Sequence, residues 1–487
     1  HMQVFVVPAE GGTPRQLTFG RFDHGAPSWL PDGSGLVVSA DRRELAELLP
    51  EDSEIHVLSL KDGSLRTISD RRGPDIAPVA SPDGRPIAWV GYEDAFLGYQ
   101  PWVLTIGTPD GSSTRVLTAD LDRDVEGLEW SQDGGGLWFR YDDEGDTKLA
   151  FQPLRGEREV LTGSLGGLSI GRPYGGASFS ASRDGVVAFT HGTTERPADV
   201  AVRGLDGDVR VLTDLNADLF TQRDLGRVEE RWFRSTHDGR DIQGWVVFPP
   251  DFDPRQRYPL LLEIHGGPFA NYGSRFSMEA QLYAASGYVV LYCNPRGSTS
   301  YGAEFGNLIH HAYPGRDYDD LMSGVDALLA EGFVDDDQLY VTGGSGGGVL
   351  TAWIVGQTDR FRAAVVAKPV INWTSFVLTA DAYPFFWRYW FGELPWENPE
   401  AYWARSPLSL VGNVTTPTML LTGEDDYRTP MSESEQYYQA LKLREVPTAL
   451  VRVPGAGHGL ANRPSQLMAK VAHILGWFDR HSVDEPE

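Results

Sequence analysis

Four Asp-Gly dipeptides, at Asp32, Asp83, Asp133 and Asp184, recur every 50 or 51 residues across roughly the first 210 positions. Each precedes a short apolar run, in "WLPDGSGLVVSA", "ASPDGRPIAWVG", "WSQDGGGLWFRY" and "SASRDGVVAFTH". Each unit closes on a second run of the type "RQLTFG", "LRTISD", "TRVLTAD", "REVLTG" or "VRVLTD". Asp-Gly between β-rich runs signals a hairpin, because glycine accepts the positive φ that primed turns require. A repeat of this length carrying about four strands is the signature of propeller blades. Residues 1–220 therefore read as a shortened β-propeller with about four visible blades and a fragment of another at "VFVVPAEGG". Further blades are expected upstream, and His1-Met2 reads as a cloning remnant.

After a polar stretch from Asn216 to Arg227 the grammar changes. "ERWFRS" and "DIQGWVVFPP" flank a "THDGR" turn as an antiparallel pair. Then "YPLLLEIH", "GYVVLYCN", "QLYVTGG", "AAVVAKP", "PTMLLTGE" and "TALVRVPG" follow, separated by helix-sized segments. Continuous apolar runs, as opposed to alternating ones, indicate strands covered on both faces. Residues 228–482 thus predict a three-layer α/β-hydrolase-type domain on a mostly parallel eight-stranded sheet, and 483–487 an acidic tail.

A formal net charge of -26 argues against nucleic acid or an anionic membrane surface as partner, since phosphate binding needs concentrated Lys and Arg. The single cysteine, Cys293, excludes an intrachain disulfide and a cysteine-based zinc site, and reads as a small buried apolar residue. No apolar run approaches the roughly 18 to 20 residues that span a bilayer, and no signal peptide opens the sequence. A cytoplasmic protein is expected. Exposed blade edges would invite strand pairing between copies, so a homo-oligomer is expected too.

The chemistry concentrates in "LYVTGGSGGGVLTAW". No lysine follows these glycines as a P-loop requires, and Val349 stands where a dinucleotide fingerprint needs its third glycine. Gly343-Gly344-Ser345-Gly346-Gly347 does satisfy G-x-S-x-G between a strand and a helix, the pattern of a nucleophile elbow. Serine is a poor nucleophile alone and needs an imidazole base oriented by a carboxylate. "TMLLTGEDDYRTP" places Asp425 and Asp426 after one later strand, and "VRVPGAGHGLANRP" places His458 in a glycine-rich loop after the last. Backbone oxyanion donors are expected from Gly346 and from Gly267 in "EIHGGPFANYG", each worth about 3 to 4 kcal/mol in comparable sites. His265 reads as shaping that loop.

The propeller-like half, H-G-G-P, "NPRGSTSYG", "GRDYDDLMSGVDAL", G-G-S-x-G-G and "GEDDYRTP" together resemble the prolyl oligopeptidase family of serine peptidases, nearest its acylaminoacyl peptidase branch. The resemblance spans essentially the whole sequence. It implies that the triad acid is Asp426, two residues before the arginine of D-x-R-T-P, and that Arg428 reaches the substrate backbone or a terminal carboxylate. It also implies that the ring-rich "NWTSFVLTADAYPFFWRYWFGELPW" builds the primary specificity pocket, with Trp373, Phe376, Phe385, Phe386 and Trp387 as candidate lining. Two departures stand out. Many members carry tyrosine directly after the nucleophile where this sequence has Gly346, and the blade array is short, which would leave the filter for short peptides open or completed by another chain.

The resulting expectation is a serine peptidase that hydrolyses short peptides through an acyl-enzyme, without metal or organic cofactor, and releases N-acylated or free amino-terminal residues. The alternatives are carboxypeptidase-type or endo-oligopeptidase cleavage, a carboxylesterase using the same triad, and a propeller interaction protein with a silent hydrolase half.

Overall fold

The computed structural model describes residues 1–482; the acidic tail expected at 483–487 lies outside the described residues. The chain forms two compact units. One comprises His1–Gly166, Gly176–His191 and Val200–Thr213; the other takes Gly167–Gly175, Gly192–Asp199 and the chain from Asp214 onward.

In the first unit each Asp-Gly repeat is an antiparallel meander of four strands. One sheet runs Ser28–Trp29, Gly35–Ala40, Glu54–Ser59 and Leu65–Thr67; the next runs Asp75–Ala80, Ile87–Gly91, Val103–Gly107 and Thr114–Val116. The third meander, Glu126–Trp130 to Glu159–Leu165, joins the fourth, Phe179–Ala181 to Val209–Val211, through the Leu165–His191 pairing. A two-stranded ribbon, Phe5–Val6 with Arg15–Gln16, precedes them. Among the described residues no strand pairing links the last meander back to the first, so the array is not a closed ring.

The repeat glycines carry the expected positive φ, +70° at Gly33 and +69° at Gly84 and Gly134. The turn itself differs from the primed type expected. The aspartates stay out of the left-handed region, and the glycine N–H closes on the carbonyl three residues back, Gly33 to Leu30 and Gly84 to Ser81. Three of the four aspartates instead accept from the backbone two residues on: Asp32 from Ser34 at 2.9 Å, Asp83 from Arg85 at 3.0 Å and Asp133 from Gly135 at 2.9 Å, whereas at the fourth turn the Val186 amide donates to Ser182 Oγ at 3.0 Å. A tight turn followed by a left-handed glycine is the longer hairpin connection, and Asp-Gly suits it as well as the primed one.

The second unit holds an eight-stranded sheet of β1 (Val228–Arg234), β2 (Asp241–Val247), β3 (Tyr258–Ile264), β4 (Val289–Asn294), β5 (Val334–Gly344), β6 (Ala363–Ala367), β7 (Thr418–Gly423) and β8 (Thr448–Val453). Their spatial order is β1-β2-β4-β3-β5-β6-β7-β8, with β1 and β2 antiparallel and the rest parallel. The flanking helices are α1 (Met278–Ala285), α2 (Asp317–Ala330), α3 (Gly346–Gln357), α4 (Met431–Leu443) and α5 (Pro464–Arg480). Successive strand residues enter opposite cores. Leu260, Leu262 and Ile264 pack with Leu321 and Val325 of α2 and Val349 of α3, whereas Leu261, Val290 and Tyr292 share a core with Ile474 and Phe478 of α5. That two-sided burial is why the parallel strands read as unbroken apolar runs.

Polar groups inside this unit are paired. Asp320, fully buried near the N-terminus of α2, accepts Arg296 Nε–H at 2.9 Å, Nη2–H at 2.8 Å and the Arg296 amide at 2.8 Å. This joins "NPRG" after β4 to "GRDYDD" at the start of α2. Removing one partner of a buried ion pair leaves an uncompensated charge and costs about 3 to 5 kcal/mol. Asp320→Ala should therefore destabilise the opening of β4 and α2 by about 3 kcal/mol in hydrogen-exchange measurements under mild urea. A loss under about 1 kcal/mol would contradict this role for the pair.

Candidate active site

β5 ends at Gly344 and α3 begins at Gly346, which leaves Ser345 alone in the bend with φ +60° and ψ −120°. Such a backbone costs of order 1–3 kcal/mol for a non-glycine residue and persists only where its surroundings force it. They do so by close approach. A Cβ on Gly347 would stand 2.1 Å from the Ile264 carbonyl oxygen, and one on Gly343 would stand 2.4 Å from the Gly347 carbonyl oxygen. Ser345 N–H donates to the Ala367 carbonyl at 3.1 Å, and the Ser345 carbonyl accepts from Val349 at 3.0 Å. The elbow is thus pinned between β6 and the first turn of α3.

His458 lies in the loop after β8. Its Nε2 is 3.0 Å from Ser345 Oγ, and its Nδ1 is 2.9 and 3.1 Å from the Asp426 carboxylate oxygens. Asp425 points into solvent, while Asp426 is buried and also accepts from the amides of Arg428 and Thr429 and from Thr429 Oγ1, all within 3.0 Å. Burial works to raise the Asp426 carboxyl, but the hydrogen bond and charge of His458 and the Thr429 donors outweigh it and hold it below the usual carboxylate range. Burial is also the largest influence on His458; with the charges of Lys368 and Arg428 it outweighs Asp426 and leaves the imidazole below its ordinary 6.5. The arrangement can pass the serine proton to a neutral imidazole held in one tautomer.

Gly267 faces the elbow, its N and carbonyl C each 3.1 Å from where a Gly346 Cβ would stand. Among the described residues neither the Gly346 nor the Gly267 amide makes a hydrogen bond. The loop around them is built by His265, held down to about 4 by burial despite the Gly266 carbonyl, with Nδ1 2.8 Å from that oxygen and Nε2 2.9 Å from Ser298 Oγ. Tyr174 Oη accepts the Gly266 amide at 2.8 Å. Tyr313 occupies the space a side chain at position 346 would need: its Oη stands 3.0 Å from that Cβ position and donates to the Gly346 carbonyl at 2.6 Å.

The expected pocket residues divide. Trp373, Phe376 and Phe386 are buried and pack on one another, with Trp373 Nε1 donating to the Arg405 carbonyl at 2.8 Å. Phe385 and Trp387 are part-buried at the margin of that core. Arg428 pairs through Nε with Asp381 at 2.6 Å, both about half exposed. Three further residues join the site without being foreseen. Tyr174 and Arg172 come from Gly167–Gly175, which carries no local signal of its position. Lys368, whose Nζ donates to the His458 carbonyl at 2.5 Å, had one available signal, a lone cation closing the apolar run "AAVVAKP". Burial first, then the charges of Arg172 and Lys470, lower Lys368 to about 7.

Residues 274–484 match the model of the prolyl oligopeptidase family. The chain is 35% identical to the uncharacterized peptidase YuxL of Bacillus subtilis over 99% of its own length and 74% of that protein. The chain belongs to the prolyl oligopeptidase family. As a member it is a serine peptidase, and it is also 29% identical to dipeptidyl-peptidase 5 of Porphyromonas gingivalis, over 93% of this chain and 66% of that one. It spans 62% of the dipeptidyl-peptidase 5 of Schizosaccharomyces pombe. Among solved structures, Pyrococcus horikoshii acylaminoacyl peptidase superimposes with a TM-score of 0.85 at 24% identity, over 99% of this chain and 74% of that one. A puromycin hydrolase superimposes with a TM-score of 0.75 at 22% identity, over 100% and 84%. These likenesses place the fold among the propeller and α/β-hydrolase proteins.

The close approach at Gly347 yields a direct test. Gly347→Ala forces a methyl into the Ile264 carbonyl and should destabilise the second unit by about 3 kcal/mol while abolishing fluorophosphonate labelling of Ser345. A variant as stable and as reactive as the parent would show that the elbow does not depend on this contact.

Proposed function

We propose that this peptidase hydrolyses short peptides through an acyl-enzyme and releases short amino-terminal units, N-acylated or free. The observation that carries the reading is the 3.0 Å contact between His458 Nε2 and Oγ of the strained Ser345. In this scheme His458 takes the hydroxyl proton as Ser345 attacks the scissile carbonyl, and the Gly346 and Gly267 amides meet the developing oxyanion. His458 then returns the proton to the leaving amine, Asp426 stabilises the imidazolium, and water completes the cycle by the same route. The names of the relatives, acylaminoacyl peptidase and dipeptidyl-peptidase, support removal of one or two residues. The part-buried rings Phe385 and Trp387, over a floor of Trp373, Phe376 and Phe386, are the proposed seat of the substrate side chain, with Arg428 at its rim.

Mass spectrometry of products from matched blocked and unblocked peptides tests the release mode, since internal or carboxyl-end cleavage would overturn it. Ser345→Ala and Asp426→Asn should each lower kcat by at least about 10,000-fold with folding intact. A loss under about tenfold in both would remove the triad from the mechanism. The pH profile follows from His458. Only the neutral imidazole accepts the proton, so kcat/KM should rise with pH and level off above the free-enzyme pKa. Because that pKa is lowered, the midpoint of the acid limb should fall below 6.5. A midpoint above 6.5 would mean that Asp426 outweighs burial.

A further inference from the structure

A cavity of about 350 Å³ in the second unit opens beside the elbow, with Leu168, Ile170, Arg172, Lys368 and Lys470 among its walls. Its size falls within the range that takes small organic ligands. Lys470 is committed to Glu279, its Nζ 2.7 and 2.6 Å from the two carboxylate oxygens. Arg172 is only partly used. Its Nε donates to Glu279 at 3.2 Å, and Nη2 lies 2.8 Å from Glu263 Oε1 at an angle that makes no hydrogen bond. Nη1 forms no hydrogen bond among the described residues. Lys368 Nζ serves one acceptor, the His458 carbonyl, of the three it can serve.

These two under-used cations converge. A Cβ on Gly344 would stand 3.4 Å from Arg172 Nη1 and 3.1 Å from Lys368 Cε. Among the described residues Arg172, Lys368 and Lys470 face the carboxylates of Glu263 and Glu279, since Asp426 is committed to His458 and Thr429; three cations against two carboxylates leave one positive charge. At the cavity wall Leu168 and Ile170 are 55% and 52% exposed. We propose that this cavity binds a small monovalent organic carboxylate, its oxygens between Arg172 Nη1 and Lys368 Nζ and its apolar tail on Leu168 and Ile170. The single surplus charge sets the valence, the aliphatic wall selects a tail, and a charge-assisted hydrogen bond to Arg supplies affinity. Bound ligand would sit one hydrogen bond from the main chain of His458.

The site is independent of the peptidase scheme, so binding is read on Ser345→Ala protein, where hydrolysis cannot contribute. Calorimetry at constant ionic strength would compare hexanoate, acetate and hexanol. Hexanoate should bind one per chain, more tightly than acetate, and hexanol should not bind. Protonated Lys368 favours the anion, so affinity should fall as pH rises through about 7. Lys368→Met, which removes the charge but keeps the apolar stem, should weaken hexanoate by about tenfold or more, and Leu168→Asp at the exposed wall should weaken it comparably. Absence of saturable hexanoate binding in the millimolar range, equal binding to Lys368→Met, or equal binding of hexanol would each overturn the proposal.

Discussion

The backbone of α3 crosses the end of β3 so closely that only a hydrogen atom fits at Gly347, and the remaining geometry of the site depends on that approach. It sets where the helix starts, which fixes the bend that lifts Ser345 out of both elements. It also brings Gly346 against Gly267, so two amides share one small volume. The strain this imposes on Ser345 is local, whereas what enforces it is distributed: a parallel sheet buried on both faces cannot shift one strand end without disturbing two cores. A serine on a flexible glycine loop would have neither the angle nor the neighbours.

The His458 imidazole is tuned by opposing influences, none of which acts alone. Burial discourages charge on His458, Asp426 encourages it, and Lys368 and Arg428 discourage it again. Asp426 is in turn tied down by Thr429 and by the Arg428 amide, so the imidazole is oriented by a carboxylate that cannot easily rotate. Behind the loop, Lys368 grips the His458 carbonyl. The position of the ring therefore depends on groups that never approach the serine oxygen.

Much of this was legible in the sequence because the signals are local. Six of the eight strands appear as continuous apolar runs and the other two as a pair about a turn, and the order of Ser345, the Asp425/Asp426 pair and His458 along the chain follows from which strand each succeeds. What was not legible depends on direction or on distant partners. Asp425 and Asp426 are neighbours that point to opposite environments, and only family resemblance separated them beforehand. The ring-rich segment announced a large buried area without revealing that Trp373, Phe376 and Phe386 would be packed inside, leaving Phe385 and Trp387 at the margin. Asp-Gly announced a hairpin but not which hairpin turn. Arg172 and Tyr174 reach partners 107 and 92 positions away, a distance at which no periodicity survives.

The stretch Gly167–Gly175 belongs to the hydrolase unit, so one part of that unit is encoded among the blades. Arg172 lies between Glu263 and Glu279, the second of which also pairs with Lys470, and Tyr174 accepts the amide that precedes Gly267. A polypeptide begun at Val228 would bury Glu263 and Glu279 without the guanidinium between them and leave that amide without its acceptor. The two halves are consequently not interchangeable modules. Shuffling a different blade array onto this enzyme would succeed only if the graft brought its own basic strap.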